Sequence, residues 1–270
     1  MFSRIKSFYK ESDKSTLTVY VVLRFFVIVS MILQILHHNW GNVFLCVLTL
    51  ILFTIPYFID KAFKITLPDV LEIIIFLFIF SAEILGELQN FYGLFKHWDT
   101  ILHTINGFLC AAIGFSLIDI LNRSNRFHIQ LAPIFVALVA FCFSMTVGVL
   151  WEFFEFGADN FLKTDMQKDR VVQEISTVTL HPEGKNEPVV LEGIQNTVIT
   201  YTDKDGNLQE AVIEGGYLDI GIKDTMKDLL VNFVGAVVFS IIGMLYIKNR
   251  DEYKFAENFI PRMKNGSGNS

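Results

Sequence analysis

The sequence predicts an all-α polytopic membrane helical bundle of about six transmembrane helices, with a small β-rich extracytoplasmic insert between helices five and six. Three observations carry this prediction. Hydrophobic residues make up 52% of the 270 positions, 27 of them phenylalanine, which departs from the balance of a soluble domain. Six apolar runs are each long enough to cross ~30 Å of hydrocarbon at 1.5 Å per residue. Between the fifth and sixth runs the pattern changes to a polar stretch rich in β-formers.

The runs lie at 17–36, 41–59, 70–89, 98–121, 131–156 and 226–247. Backbone polar groups in lipid must be satisfied within their own segment, and these runs lack the period-2 alternation of a barrel strand, so they are predicted to be helices. The charged leader is long and His37-His38-Asn39-Trp40 offers no small-residue cleavage site, so the first span is expected to be permanent. Cys46, Cys110 and Cys142 all fall inside spans and read as apolar packing residues, not a disulfide set.

Orientation follows from the basic residues. Arg4, Lys6, Lys10 and Lys14 precede span one, Lys61 and Lys64 follow span two, Arg123 and Arg126 follow span four, and Lys248, Arg250, Lys254, Arg262 and Lys264 follow span six. The short loops on the other side hold only Lys96, which places both termini in the cytoplasm. Trp40, Trp98 and Trp151 then all fall at the outer interface, where indoles prefer to sit. Arg24 is expected to snorkel to the inner surface, Glu72 to lie at the surface, and His37 and His38 to form an outer-loop pair.

Residues 161–222 form the insert, with strands expected over 171–180, 189–191, 197–202 and 208–213 and a hairpin turn at Asp203-Lys204-Asp205-Gly206-Asn207. The alternative is a flexible loop with one hairpin, since so few strands make a thin core. Helices one to five thus occupy 1–160, helix six 223–248, and a charged tail, expected to be disordered, 249–270. A net charge of -6 with no basic stripe excludes nucleic acid as the expected partner.

Ionisable groups in spans are costly, about 3 kcal/mol each at mid-bilayer, and tend to be functional or paired. Glu83, Glu87 and Asn90 share a face of the third span at helical spacing, as do Asp99, His103 and Asn106 in the fourth, with Cys110 and Gly114 continuing that face. Gly148, Glu152, Glu155 and Asp159 form a stripe in the fifth, and Asp224, Asp228, Asn232 and Gly235 in the sixth. Spans three and five run outwards and end in their acids, whereas spans four and six run inwards and begin with theirs. All four sets are therefore expected to meet in the outer leaflet, with His103 about 7 to 8 Å below Trp98.

Carboxylates gathered in a low-dielectric pocket need a counter-charge. Shared protons, the bases Lys96, Arg170, Lys223 and Lys227, a divalent metal ion or a cationic substrate would each serve. Asp99, His103, Glu152 and Asp228 are the candidate ligands for Zn²⁺, Mn²⁺ or Mg²⁺, although the spacing matches no common zinc signature. Asp99, His103, Glu152, Glu155 and Asp228 are the candidate catalytic set, with His103 and Glu152 as acid and base and with Glu83, Glu87, Asn106, Asp159, Asp224 and Asn232 in support. Against this stand two plainer readings: Glu87, Asp159 and Asp224 as ordinary interfacial acids, and the deeper groups as a hydrogen-bonded network that holds helices together.

The runs His97-Trp98-Asp99-Thr100-Ile101-Leu102-His103, Trp151-Glu152-Phe153-Phe154-Glu155-Phe156 with Asp159 and Gln167, and Asp224-Thr225-Met226-Lys227-Asp228-Leu229 with Asn232 resemble the YjdF-like family of bacterial membrane proteins over about residues 70 to 247. More distantly, the Asp-x-x-x-His, Glu-plus-Gln and Asp-x-x-x-Asn elements, followed by Gly235-Ala236, are similar to VanZ-like proteins, some of them associated with glycopeptide resistance; the long insert departs from that pattern. The resemblance implies a bacterial cell membrane and supplies no reaction.

The leading expectation is a protein that binds or modifies a membrane lipid or lipid-linked envelope component at the outer leaflet. A proton- or cation-coupled transporter is the second, with no repeated halves or paired Gly/Pro-broken helices in the sequence to favour it. A non-catalytic envelope assembly protein, binding its partner through the insert, is the third.

Overall fold

The computed structural model describes residues 14–63, 65–123 and 131–263. The charged leader ahead of Lys14, Lys64, the loop containing Arg126, Lys264 and the Gly/Ser-rich end of the tail lie outside the described residues. The chain divides into two compact units, one of Met1–Val149 with Asp228–Ser270 and one of Leu150–Lys227.

In the first unit, α1 (Lys14–Leu36) places Tyr20, Leu23 and Val27 on one buried stripe and leaves Val21, Phe25, Phe26, Val29 and Leu33 exposed. Such broad apolar exposure is the surface that a lipid solvent requires. Asn39 accepts a hydrogen bond from the Asn42 amide and caps α2 (Trp40–Leu52). After a turn at Phe53 and Thr54, α3 (Ile55–Phe63) continues, with Pro56 in its first turn, where a missing amide is tolerated. The rings of Tyr20 and Phe53 both pack on Phe76, at centroid distances of 5.2 and 5.6 Å, and tie these helices to α4 (Asp69–Phe80). Arg24 donates to the Tyr20 hydroxyl and lies over its ring.

Five helices among the described residues are long and apolar enough to cross a membrane: Lys14–Leu36, Trp40–Ala62, Trp98–Asn122, Pro133–Leu162 and Ile222–Lys248. The segment expected as the third span is built differently. The twelve residues of α4 continue directly into an eight-residue π-helix, Ser81–Leu88, so neither piece alone has span length. Asn90 does not continue the Glu83 and Glu87 face as expected; it takes a left-handed conformation (φ 59°) ahead of the short α5 (Phe91–Leu94). Glu72 corrects a second expectation, being buried near the start of α4.

Three long helices follow: α6 (Trp98–Arg123), α7 (Pro133–Leu162) and α8 (Ile222–Lys248). A Cβ at Gly107 would lie 2.0 Å from the carbonyl oxygen of Asn232, and one at Gly235 would lie 2.0 Å from that of Thr104. The missing side chains let the two backbones touch, as small residues do between membrane helices. Contacts advance together along both helices, from Gly107 with Asn232 to Phe115 with Gly243, so α6 and α8 run parallel. On the α7 side, Ser144 donates to the Gly107 carbonyl at 2.8 Å.

The tail expected to be disordered is folded as far as Met263. Arg250 pairs with buried Asp119 at 3.0 Å and stacks on Tyr246. A 3-10 helix, Lys254–Asn258, buries Ala256, and Phe259 meets Phe108 edge-on at 5.3 Å. Arg262–Met263, strand β8, then pairs antiparallel with β1 (Ile65–Thr66). Interspersed charges mask the apolar residues Ala256, Phe259 and Ile260, which supply the burial that orders this segment.

In the second unit, β2 (Arg170–Val172) pairs with β7 (Tyr217–Asp219), β3 (Ile175–Thr177) with β4 (Val189–Leu191), and β5 (Asn196–Thr202) with β6 (Leu208–Glu214). The single strand expected over 171–180 is thus two short ones, and β7 was not anticipated. The turn at 203–207 forms as expected: the Asp203 carboxylate accepts the amides of Asp205 and Asn207, and Gly206 supplies the positive φ of 87°. Val198, Tyr201, Leu208 and Val212 remain exposed, which fits the thin core foreseen for so few strands.

Candidate functional site

The polar cluster of the helical unit grows from two turns of α6 and one residue of α8. Asp99 and His103 are four residues apart and so share a face of α6, with His103 Nε2 3.4 Å from Asp99 Oδ1. Across the helix pair, Asp228 Oδ2 is 3.8 Å from the same nitrogen. One ligand atom from each residue lies within 4.8 Å of the others, a grouping that could hold a metal ion. Asp228 is 2% exposed, against 13% for His103 and 20% for Asp99, so the cluster is closed at α8 and partly open at the start of α6.

One turn further along, Asn106 Nδ2 donates to Asn232 Oδ1 at 3.1 Å, and Asn232 turns its own amide towards Met145 Sδ at 3.6 Å. Cys110 donates to Asn106 Oδ1 at 3.6 Å. Below this ladder sits the Gly107–Gly235 crossing. The order is causal: without the close backbone approach, the short side chains of Asp228 and Asn232 would not reach α6. Gly107 carried no signal in the sequence, because a glycine in an apolar run reads as neutral until its neighbour is known.

Trp98, expected at the interface, has a second role. Its indole donates to the Ser81 carbonyl at 3.2 Å and its ring packs on Phe91 at 5.0 Å, fixing the first turn of α6 to the π-helix. Glu83 on that π-helix is 3% exposed, and its Oε2 has no hydrogen-bond partner among the described residues; Glu87 is half-buried. Such π segments recur at functional sites. Cys46, Cys110 and Cys142 are free thiols.

The remaining candidates belong to the second unit. Glu152 and Glu155 are buried, and Glu155 Oε1 accepts the Trp151 indole at 2.8 Å. Asp159 accepts the Met166 and Gln167 amides at 2.6 and 2.8 Å and the Thr164 hydroxyl at 2.8 Å, so it organises the chain leaving α7. Asp224 is paired with Arg170 and accepts the Lys168 amide at 2.9 Å. Gln167 donates to the Thr225 hydroxyl. Asp159 and Asp224 are therefore fully engaged in holding the insert, and the Arg170 charge is committed to Asp224. Asp169 lies among Asp165, Asp159 and Asp219; partial burial first, then those charges, push its carboxyl above the usual range.

Helices with lipid-type surfaces, a β insert and a cluster of histidine and carboxylates between two close-packed helices define a multi-pass membrane protein with a polar interhelical cluster. The chain belongs to the family described as predicted membrane protein (DUF2238), whose model matches residues 18–249 and so includes every candidate above. A Thermotoga maritima protein described as uncharacterized is 30% identical over 107 residues, 40% of this chain and 53% of that protein. The chain thus spans about half the length of that curated relative. No solved structure matches.

Proposed function

We propose that this bacterial cell-membrane protein binds or modifies a lipid or lipid-linked envelope component through Asp99, His103 and Asp228. The YjdF-like resemblance is read as the same family, and the VanZ-like one as a more distant relationship. The basic residues beside the spans support cytoplasmic termini and an extracytoplasmic insert. The carrying observation is the convergence of the three side chains within the first turns of α6, with Asp99 and His103 still partly open. His103 is about 7 to 8 Å along the helix from Trp98, the depth at which a lipid head group meets the hydrocarbon. An imidazole between two carboxylates can hold or pass a proton there, with Asp99 and Asp228 orienting the ring.

The test is thermal stability of the purified chain in nanodiscs containing either a polyprenyl phosphate or the corresponding polyprenol. Selective stabilisation by the phosphate, lost in Asp228→Asn, is the expected result; equal behaviour in both lipids refutes the reading.

A transporter is the second reading, favoured by one observation: the second segment is broken by a turn at Phe53–Thr54, and discontinuous helices are a feature of secondary transporters. Cation-driven flux into proteoliposomes would support it.

A further inference from the structure

We propose that Asp99, His103 and Asp228 are the three protein ligands of a transition-metal dication, zinc being the best match, with a fourth position left to an oxygen of the bound molecule. The proposal deepens the reading above by naming the metal of that site, but its argument rests on the three residues and does not need a lipid.

Geometry comes first. Ligands about 2.1 Å from a tetrahedral metal stand about 3.4 Å from one another. The observed edges from His103 Nε2 are 3.4 Å to Asp99 and 3.8 Å to Asp228, and the third edge is within 4.8 Å. A contraction of a few tenths of an ångström at Asp228 and closure of the third edge would complete one face of a tetrahedron. The donor set is one imidazole nitrogen and two carboxylate oxygens, a mixture that suits zinc better than magnesium, whose preferred shell is all oxygen and octahedral.

Charge is the second, separate argument. Two carboxylates in a helix crossing are expensive as a pair of like charges, and a dication with a neutral imidazole makes the group formally neutral. Burial of Asp228 at 2% exposure removes the water that would otherwise screen that repulsion. Rigidity is the third: the Gly107–Gly235 contact and the Asn106–Asn232 bond hold the ligands' two helices in fixed register just below the site. Three protein ligands and an open position are the arrangement of zinc sites that act on a substrate, whereas structural zinc sites are closed by four.

The experiment uses the full-length chain in nanodiscs, stripped with EDTA and then titrated with Zn²⁺ or Co²⁺ alone. Binding of about one zinc ion per chain, a zinc-dependent rise in Tm, and the intense visible absorption of tetrahedral cobalt are expected. His103→Gln and Asp228→Asn should lose the zinc-dependent rise, whereas His103→Cys, which keeps a zinc ligand in place, should retain it. The Tm of each variant in EDTA reports whether it is folded. A stripped wild-type protein that takes up no zinc overturns the proposal, as does a full zinc-dependent rise in His103→Gln. Phosphate-lipid stabilisation that persists in EDTA after failed zinc uptake would sink the metal alone. Zinc uptake without any lipid effect would sink the lipid reading alone.

Discussion

The carbonyl oxygen of Asn232 occupies the place where Gly107 would carry a side chain, 2.0 Å from the ideal Cβ position. Gly235 repeats the relationship with Thr104, so the two helices interlock reciprocally. Everything proposed for the polar cluster depends on this contact.

Replacing either glycine with alanine forces α6 and α8 apart. Gly107→Ala and Gly235→Ala should each cost about 1–3 kcal/mol, the range of overpacked interiors. The double variant should cost less than the sum, since both changes disrupt one contact. Thermal unfolding in detergent micelles measures all three.

The Asn106–Asn232 hydrogen bond links the same helices with 126 residues between its partners. Asn232 is 1% exposed, so Asn232→Leu strands the Asn106 amide and should destabilise by about 1–2 kcal/mol, the range for polar pairs between membrane helices. A double-mutant cycle with Asn106→Leu should return a favourable coupling. Zero coupling would show that the pair contributes packing alone.

Asp119 is 4% exposed at the far end of α6 and is neutralised by Arg250 from the tail. Arg250→Ala leaves that carboxylate without its guanidinium and should cost about 1–3 kcal/mol, once the partial exposure of the arginine is discounted. Adding Asp119→Asn should recover part of the loss. Protease resistance around 250–263 should fall in the single variant and recover in the double.

The insert should respond to pH with opposite signs at two aspartates. The Asn207 amide, with further bonds from Gln209, Asp205 and the Asn207 side chain, holds Asp203 below the usual carboxylate range. Its contribution is present above the unfolded carboxylate pKa and lost as pH falls through the lower folded value. Asp169 is raised, so its ionisation opposes folding as pH rises from the unfolded to the folded value, and Asp169→Asn should stabilise the insert at neutral pH. Amide protection in the 202–208 turn, relative to the intrinsic exchange rate at each pH, should fall in acid for wild type and be low at every pH in Asp203→Ala.

How much was legible beforehand differs by element. Apolar run length gives α1, α6, α7 and α8 directly, because a lipid solvent imposes one-dimensional rules on each segment. Turn chemistry gives the 203–207 hairpin, because an Asp and a Gly at fixed offsets decide it locally. The π-helix and the folded tail were not legible, since their contacts lie elsewhere in the chain: Trp98 of α6 for the first, Phe108 and Ile65 for the second.

By itself, the sequence determined the solvent, the positions of α1, α6, α7 and α8 and the parallel sense of α6 and α8, and it offered Asp99, His103, Glu152, Glu155 and Asp228 as candidates without separating them. The tertiary structure alone decided that Asp99, His103 and Asp228 face one another, that Asp159 and Asp224 are spent on the insert, and that Gly107 sets the spacing. The reason is physical: hydropathy and helical period act along the chain, whereas backbone approach and hydrogen-bond pairing exist only once two segments have met.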